Sequence, residues 1–366
     1  MPKLHTASAG CALGLAGCVA WTGVAAQDVP GIDFYGSLRT QAEAVAPDRD
    51  DRLDGYAGFR DAYSRLGVKI DHPLGGELAL TGQLELPVDS ANFRMRDPYD
   101  QGDANRPHGE RIRLAQIGLR SRLGIFSYGQ QWMPYYNAVA APVDMFSTYY
   151  SGFATYTVFR VAQTLSYSTP EVAGFSLSAG YTGSSGNARS TSRIDARRRQ
   201  VAATYTFGDT RFAAGVDDRG DAGYGRNRLF GLSASHQAGN LYLAAKVERF
   251  DTGNRQRGSF SSDGNKAINL FGSYAMGKTT FKLMLARVEN YGDNIVHVGL
   301  DHQFTDDFKA FAEYYREGET AVLTPRRGGL DDFDAGISGG QAIAAENERF
   351  AAMLLAPEAK EAFTAF

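Results

Sequence analysis

The sequence predicts an all-β protein, an antiparallel β-barrel that crosses a membrane. Three observations lead there. Runs of roughly ten residues alternate apolar and polar with a period of two, as a strand does with one face in lipid and the other in water. The connections between runs alternate between short turns and long polar stretches. Beyond the first 26 residues, no segment reads as a membrane helix, which needs ~20 mostly apolar residues. The longest uncharged stretch, residues 123–143, is interrupted by Gln130, Gln131, Pro134 and Pro142. Lipid offers no hydrogen-bond partner, so a sheet that crosses it must leave no open edge.

The chain opens with a segment unlike the rest. Lys3 and the free amino terminus precede an apolar, small-residue run from Ala7 to Trp21, and Val24-Ala25-Ala26 is a small-residue cleavage site. Residues 1–26 therefore read as a secretory signal peptide, with Gln27 as the first mature residue. Both cysteines, Cys11 and Cys18, lie inside it, so the mature chain has no disulfide and no thiolate chemistry. Leu15-Ala16-Gly17-Cys18 also matches a lipid-attachment box, but the Val-Ala-Ala site fits the leader pattern better. Without Lys3, 37 basic residues stand against 41 acidic ones, a net charge near −4 and no basic footprint for nucleic acid. Gly at 42 and Phe plus Tyr at 41 fit tight turns and the aromatic girdles of a membrane barrel.

The strands follow in order. Ile32, Phe34, Gly36 and Leu38 alternate with Asp33, Tyr35 and Ser37. Leu78, Leu80, Gly82, Leu84 and Leu86 alternate with Glu77, Ala79, Thr81, Gln83 and Glu85. Leu241, Leu243, Ala245 and Val247 alternate with Tyr242, Ala244 and Lys246, and Val296, Val298, Leu300 and Phe304 oppose His297, Gly299 and Asp301. Similar runs centre on residues 62–71, 113–121, 158–168, 175–181, 201–207, 211–217, 229–236, 268–276, 280–289 and 308–316. Short turns include Gly208-Asp209, Ala238-Gly239-Asn240, Gly277-Lys278 and Thr305-Asp306-Asp307. Long polar stretches lie at residues 46–59, 88–109, 183–198, 218–227 and 251–265. Short turns on one side and long loops on the other are the outer-membrane pattern. About fifteen strands can be placed, and single-chain bacterial barrels use even numbers, so sixteen strands are expected, enough for an aqueous channel.

With these runs in place, the chain resembles the Gram-negative general porins, trimeric diffusion channels with sixteen strands. The resemblance runs from Val29 to about Arg316. It is carried by Ile32-Asp33-Phe34-Tyr35-Gly36, by Arg65-Leu66-Gly67, and by Ile117-Gly118-Leu119 followed by Leu123-Gly124-Ile125-Phe126-Ser127-Tyr128-Gly129-Gln130-Gln131. Arg160, Leu165-Ser166-Tyr167-Ser168-Thr169-Pro170 and Gly174-Phe175-Ser176 complete it. The resemblance implies an outer-membrane homotrimer in contact with lipid and lipopolysaccharide, passing small hydrophilic solutes. It also implies a third loop folded into the barrel, here residues 132–157. That segment has one acidic residue, Asp144, and many aromatics, among them Tyr135, Tyr136, Tyr149 and Tyr150. Its apolar character disfavours free exposure to water. Two departures stand out. The family usually carries an arginine where this chain has Gln130. The end of the chain, residues 346–366, is an atypical tail or an altered closing strand, in which residues 351–363 read as a helix, leaving 27–345 as the barrel with half a strand at residues 340–345.

Alternation places Arg39, Arg65, Lys69, Glu77, Glu85, Arg120, Arg160, Lys246, Glu248 and Lys282 on the water-facing side, seven basic to three acidic. A charge in the lipid midplane would cost about 2–4 kcal/mol. The plainer reading is a solvated interior. The sharper one is a constriction in which Arg39, Arg65, Lys69, Arg120 and Arg160, with Gln130, face Asp144, filter by size and sign, and favour anions weakly. Runner-up readings are a sugar-preferring channel that uses Tyr135, Tyr136, Tyr149 and Tyr150 as a stacking track, and a non-conducting adhesive barrel. Catalytic motifs, cofactor motifs and a metal set are not found, and the acidic loop clusters at residues 48–54 and 97–103 do not match the calcium-loop pattern.

Overall fold

Successive side chains of a strand point to opposite faces, so the period-two runs translate directly into a two-faced wall. The computed structural model describes residues 11–19, 31–46, 56–95, 112–148, 155–183, 198–220, 225–256, 258–259, 261–290 and 292–318. Among these, seventeen strands form: β1 Cys11–Val19, β2 Ile32–Ala46, β3 Tyr56–Asp61, β4 Ser64–Gly75, β5 Leu78–Val88, β6 Leu114–Ser121, β7 Gly124–Trp132, β8 Arg160–Ser168, β9 Phe175–Thr182, β10 Arg198–Phe207, β11 Thr210–Asp218, β12 Asn227–Ala238, β13 Leu241–Thr252, β14 Lys266–Met276, β15 Thr279–Val288, β16 Gly292–Gln303 and β17 Phe308–Gly318. No helix among the described residues is long and apolar enough to cross a membrane.

The strands make one antiparallel sheet in which β4 to β17 pair in chain order. The first half of β2 pairs with β4 and its second half with β3, so β3 and β4 are one stave broken at Ala62 and Tyr63. Tyr63 there adopts φ 67°, and the Asp61 carboxylate secures the break by accepting from the backbone N–H of Ser64 and of Ser90. The sheet therefore has sixteen staves, the expected number. The sixteenth is β1, which pairs with β17 on one side and β2 on the other. This stave was not foreseen, because residues 11–19 read as part of the leader. Leu13, Leu15 and Val19 separated by small residues carry the same period-two pattern as the later strands. Two unpaired edges in lipid would each leave a row of backbone groups unsatisfied. The half-strand expected at residues 340–345 and the tail 346–366 lie outside the described residues.

The outer face is apolar. Phe212, Leu232, Val247, Leu270 and Val298 are exposed, whereas their inward neighbours Ala213, Ser233, Lys246, Asn269 and His297 are buried. Contiguous exposed apolar surface on this scale suits a bilayer. Stacked aromatic pairs lie near the short-turn end: Phe126 with Tyr167, Phe175 with Tyr205, and Phe304 with Phe308. The tight turns at Gly208 and Gly277 need φ 55° and 59°, which glycine adopts without strain.

Candidate functional site: a loop across the lumen

The segment between β7 and β8 folds into the barrel, as expected. After Trp132 it makes a π-helical turn, Tyr136–Ala140, and a 3-10 turn, Ala141–Val143. It then runs along the inner wall formed by β10 to β17. The Tyr135 N–H donates to Gln200 Oε1 at 2.9 Å and Ser233 Oγ donates to the Ala138 carbonyl at 3.3 Å. Tyr242 donates its hydroxyl to the Pro142 carbonyl at 2.9 Å. Phe146 stacks on His297 with ring centroids 3.5 Å apart. On the return leg, the Tyr156 hydroxyl reaches the Glu289 carbonyl at 2.6 Å, and Arg219 donates to the Tyr156 carbonyl at 2.7 Å. Gly231 and Gly299 make room for this loop, since a Cβ at Gly299 would lie 2.9 Å from the Phe146 ring.

The opposite half of the barrel carries a group of buried arginines. Arg39 on β2, Arg65 on β4 and Arg160 on β8 are buried in the lumen, as their register predicts. Arg39 Nε donates to Ser37 Oγ at 2.7 Å, and the Arg160 guanidinium lies 5.1 Å from the Trp132 ring at the loop's root. Lys69 stands over the Tyr35 ring at 5.3 Å, and Tyr35 donates to Glu85 at 3.0 Å. Asp144 is buried on the loop and accepts the Tyr136 hydroxyl at 3.1 Å. Burial, reinforced by the Asp144 carboxylate, holds the Tyr136 phenol well above its ordinary range, so it stays the donor.

Several expected site residues lie elsewhere. Arg120 is exposed near the β6–β7 turn, where it pairs with Asp71 at 2.7 Å, away from the loop. Glu77 lies exposed in the turn before β5. Gln130 pairs across the sheet with Ala115, on the outward side shared with Ile117, and its amide donates to the Ile112 and Arg113 carbonyls. Alternation along β7 puts the two glutamines on opposite faces, and Gln131 is the inward one, donating to the Thr164 carbonyl at 2.6 Å. Tyr135 and Tyr136 are fully buried under the loop and offer no ring face to a passing solute. Tyr149 and Tyr150 lie outside the described residues.

Other residues were missed. Arg113 is buried in the lumen wall and its Nε lies 2.7 Å from Glu85 Oε1. It stands one residue before β6, where the alternation that sorts Gln116, Gly118 and Arg120 inward does not extend. Asp217 sits between Arg198 and Arg219 at 3.2 and 3.4 Å, and Asp301 between Lys282 and Lys309 at 2.7 and 2.9 Å. Glu313 was legible as inward from its alternation with Phe311 and Tyr315, but its loop contacts were not.

A family model described as Gram-negative porin matches residues 12–321. No curated protein matches the sequence. Among solved structures, the chain is similar to OmpF of Salmonella typhi in complex with daunomycin, at 15% identity and a TM-score of 0.55, covering 85% of this chain and 96% of that one. It is also similar to an anion-selective porin from Comamonas acidovorans, at 15% identity and TM-score 0.54, covering 85% and 97%. An OmpT loop-deletion mutant of Vibrio cholerae aligns at 18% identity and TM-score 0.50, covering 78% and 98%.

Proposed function

Because the chain belongs to the Gram-negative porin family and forms an outer-membrane channel for passive diffusion, we propose that its constriction lies between the Asp144 loop and the wall of Arg39, Arg65, Arg113 and Arg160. Small hydrophilic solutes pass between the two. The single observation that carries this reading is the arrangement of the lumen: the loop packs on β10 to β17, and Arg39, Arg65, Arg113 and Arg160 are buried on the facing wall, β2 to β8. Opposed fixed charges across a narrow passage set a transverse field that sorts ions. The four arginines outnumber Glu43, Glu85 and Asp144 there, which favours weak anion preference.

In this reading the exported chain starts at Gln27, so β1 leaves the sheet with the leader and another segment takes its place between β17 and β2; the mature chain assembles as a homotrimer and contacts lipopolysaccharide in the outer leaflet. It performs no chemistry on what it passes. Conductance of the purified protein in planar bilayers, with reversal potentials in a salt gradient, tests the reading. Ohmic channels with mild anion preference are expected. Silent bilayers overturn the pore, and clear cation preference overturns the charge assignment.

A further inference from the structure

The outer wall carries cations where its apolar rows stop. On β13 the outward row ends with Val247 and then Arg249, on β14 with Ile268 and Lys266, and on β15 with Leu285 and Arg287. All three cations are exposed. They lie at the end of the barrel that bears the long connection between β13 and β14, the external side of an outer-membrane barrel. An outward charge costs least at this boundary of the apolar band.

Two of them are set against each other. Arg249 and Lys266 are directly opposed across the β13–β14 pair, and like charges so placed destabilise a sheet. Arg287 pairs with Ile268 and so stands diagonal to Lys266. Along the same rim, Arg226 lies 2.8 Å from Asp251 and Arg228 3.7 Å from Asp218. Among the described residues no carboxylate pairs with Arg249 or Lys266 in this way. Glu289 accepts the Lys266 backbone N–H at 3.0 Å and not its ammonium. The opposed pair is left for an anion from outside the chain, at the membrane boundary. Apolar cover lies directly below. Val247 and Ile268 are 46% and 45% exposed, and a furrow of about 500 Å³ is lined by Val247, Leu232, Ala234, Ala245 and Phe212. Cations above apolar cover fit an amphiphile with phosphates at its head and acyl chains beneath.

We propose that Arg249, Lys266 and Arg287 clamp the phosphates of lipopolysaccharide, whose acyl chains lie over Val247, Ile268 and the furrow. This gives a site to the outer-leaflet contact in the reading above and rests on it. A guanidinium takes phosphate oxygens two at a time, and an ammonium acts as a point charge. A phosphate between the opposed cations turns their repulsion into a shared contact.

The test is binding of fluorescently labelled bisphosphorylated lipid A to the purified protein in detergent micelles. The parent is compared with the double variant Arg249→Gln, Lys266→Gln, with folding checked by heat-modifiable migration. Loss of two charge-assisted contacts is expected to weaken binding about tenfold or more. Dephosphorylated lipid A is expected to bind the parent as weakly as lipid A binds the variant. Arg226→Gln with Arg228→Gln, which removes cations already paired with carboxylates, is expected to bind as the parent does. Without lipid, Lys266→Gln is expected to melt no lower than the parent, because it removes a like-charge contact. Should the double variant not fold, Lys266→Gln alone decides through the same weakening. Equal binding by the parent and a folded variant overturns the clamp and leaves the pore reading intact. Equally tight binding of phosphatidylglycerol overturns the glycolipid as its occupant. A parent that binds no lipid A overturns the clamp and the lipopolysaccharide contact together, while bilayer conductance still tests the pore by itself.

Discussion

Arg113 Nε lies 2.7 Å from Glu85 Oε1, and both side chains are buried in the lumen wall. The pair joins β5 to the residue that leads into β6, and the Arg113 N–H donates to the Glu85 carbonyl at 2.8 Å as well. Removing one partner of a buried pair leaves the other uncompensated, typically a loss of about 3–5 kcal/mol. Glu85→Ala is therefore expected to unfold at lower denaturant, followed by heat-modifiable migration. Glu85→Gln, which keeps the volume, is expected to shift the reversal potential toward anions.

Gln130 and Gln131 make a paired test of register. Gln130→Arg adds a charge on the outward side, near the strand end, where the cost is only about 0–1 kcal/mol. Its selectivity is expected to match the parent's. Gln131→Arg adds a charge inside the lumen and is expected to raise anion preference. The reverse pattern in reversal potentials would show that the two faces of β7 are assigned the wrong way round.

Gly231 sits directly beneath the loop. A Cβ there would lie 2.7 Å from Tyr135 Cζ and from Val139 Cγ1, so the loop must lift. Gly231→Ala is expected to lower single-channel conductance while the barrel stays folded. Gly58, with nothing within 4 Å, is the control, and Gly58→Ala should conduct normally.

The outer wall predicts a depth-dependent penalty. Leu232 is 62% exposed in the middle of β12. Leu232→Arg is expected to cost about 2–4 kcal/mol in lipid, read as loss of refolding yield into vesicles. An equal yield would mean that this face is not in the bilayer.

The leader's register can be trapped chemically. Cys11 lies opposite Ala46 across the β1–β2 pair. Directly opposed residues have Cα atoms about 4.5–5.5 Å apart, within disulfide range. Uncleaved protein carrying Ala46→Cys and Cys18→Ala should form this disulfide on oxidation. Terminal sequencing of the outer-membrane form should begin at Gln27; a Met1 start would show that the leader stays.

The barrel class was legible in the sequence because alternation is local: Leu243 and Lys246 declare their sides of the wall through nearest neighbours alone. Turn chemistry at Gly208 and Gly277, and the apolar loop around Phe146, were legible for the same reason. What the tertiary structure decided is where local periodicity breaks or where distant residues meet. The extra residue of the β7–β8 pair, between Val161 and Thr164 on β8, is one such break, while Gln130 falls outward and Gln131 inward by plain alternation along β7. Arg113 joined the charged wall from outside its strand. Glu248 and Glu313 met the loop only once residues 93 and 166 positions away in the chain were brought to them. In the uncleaved chain the last stave, between β17 and β2, went to Cys11–Val19, since pairing in a barrel is set by which edges remain open and not by where a segment stands in the chain.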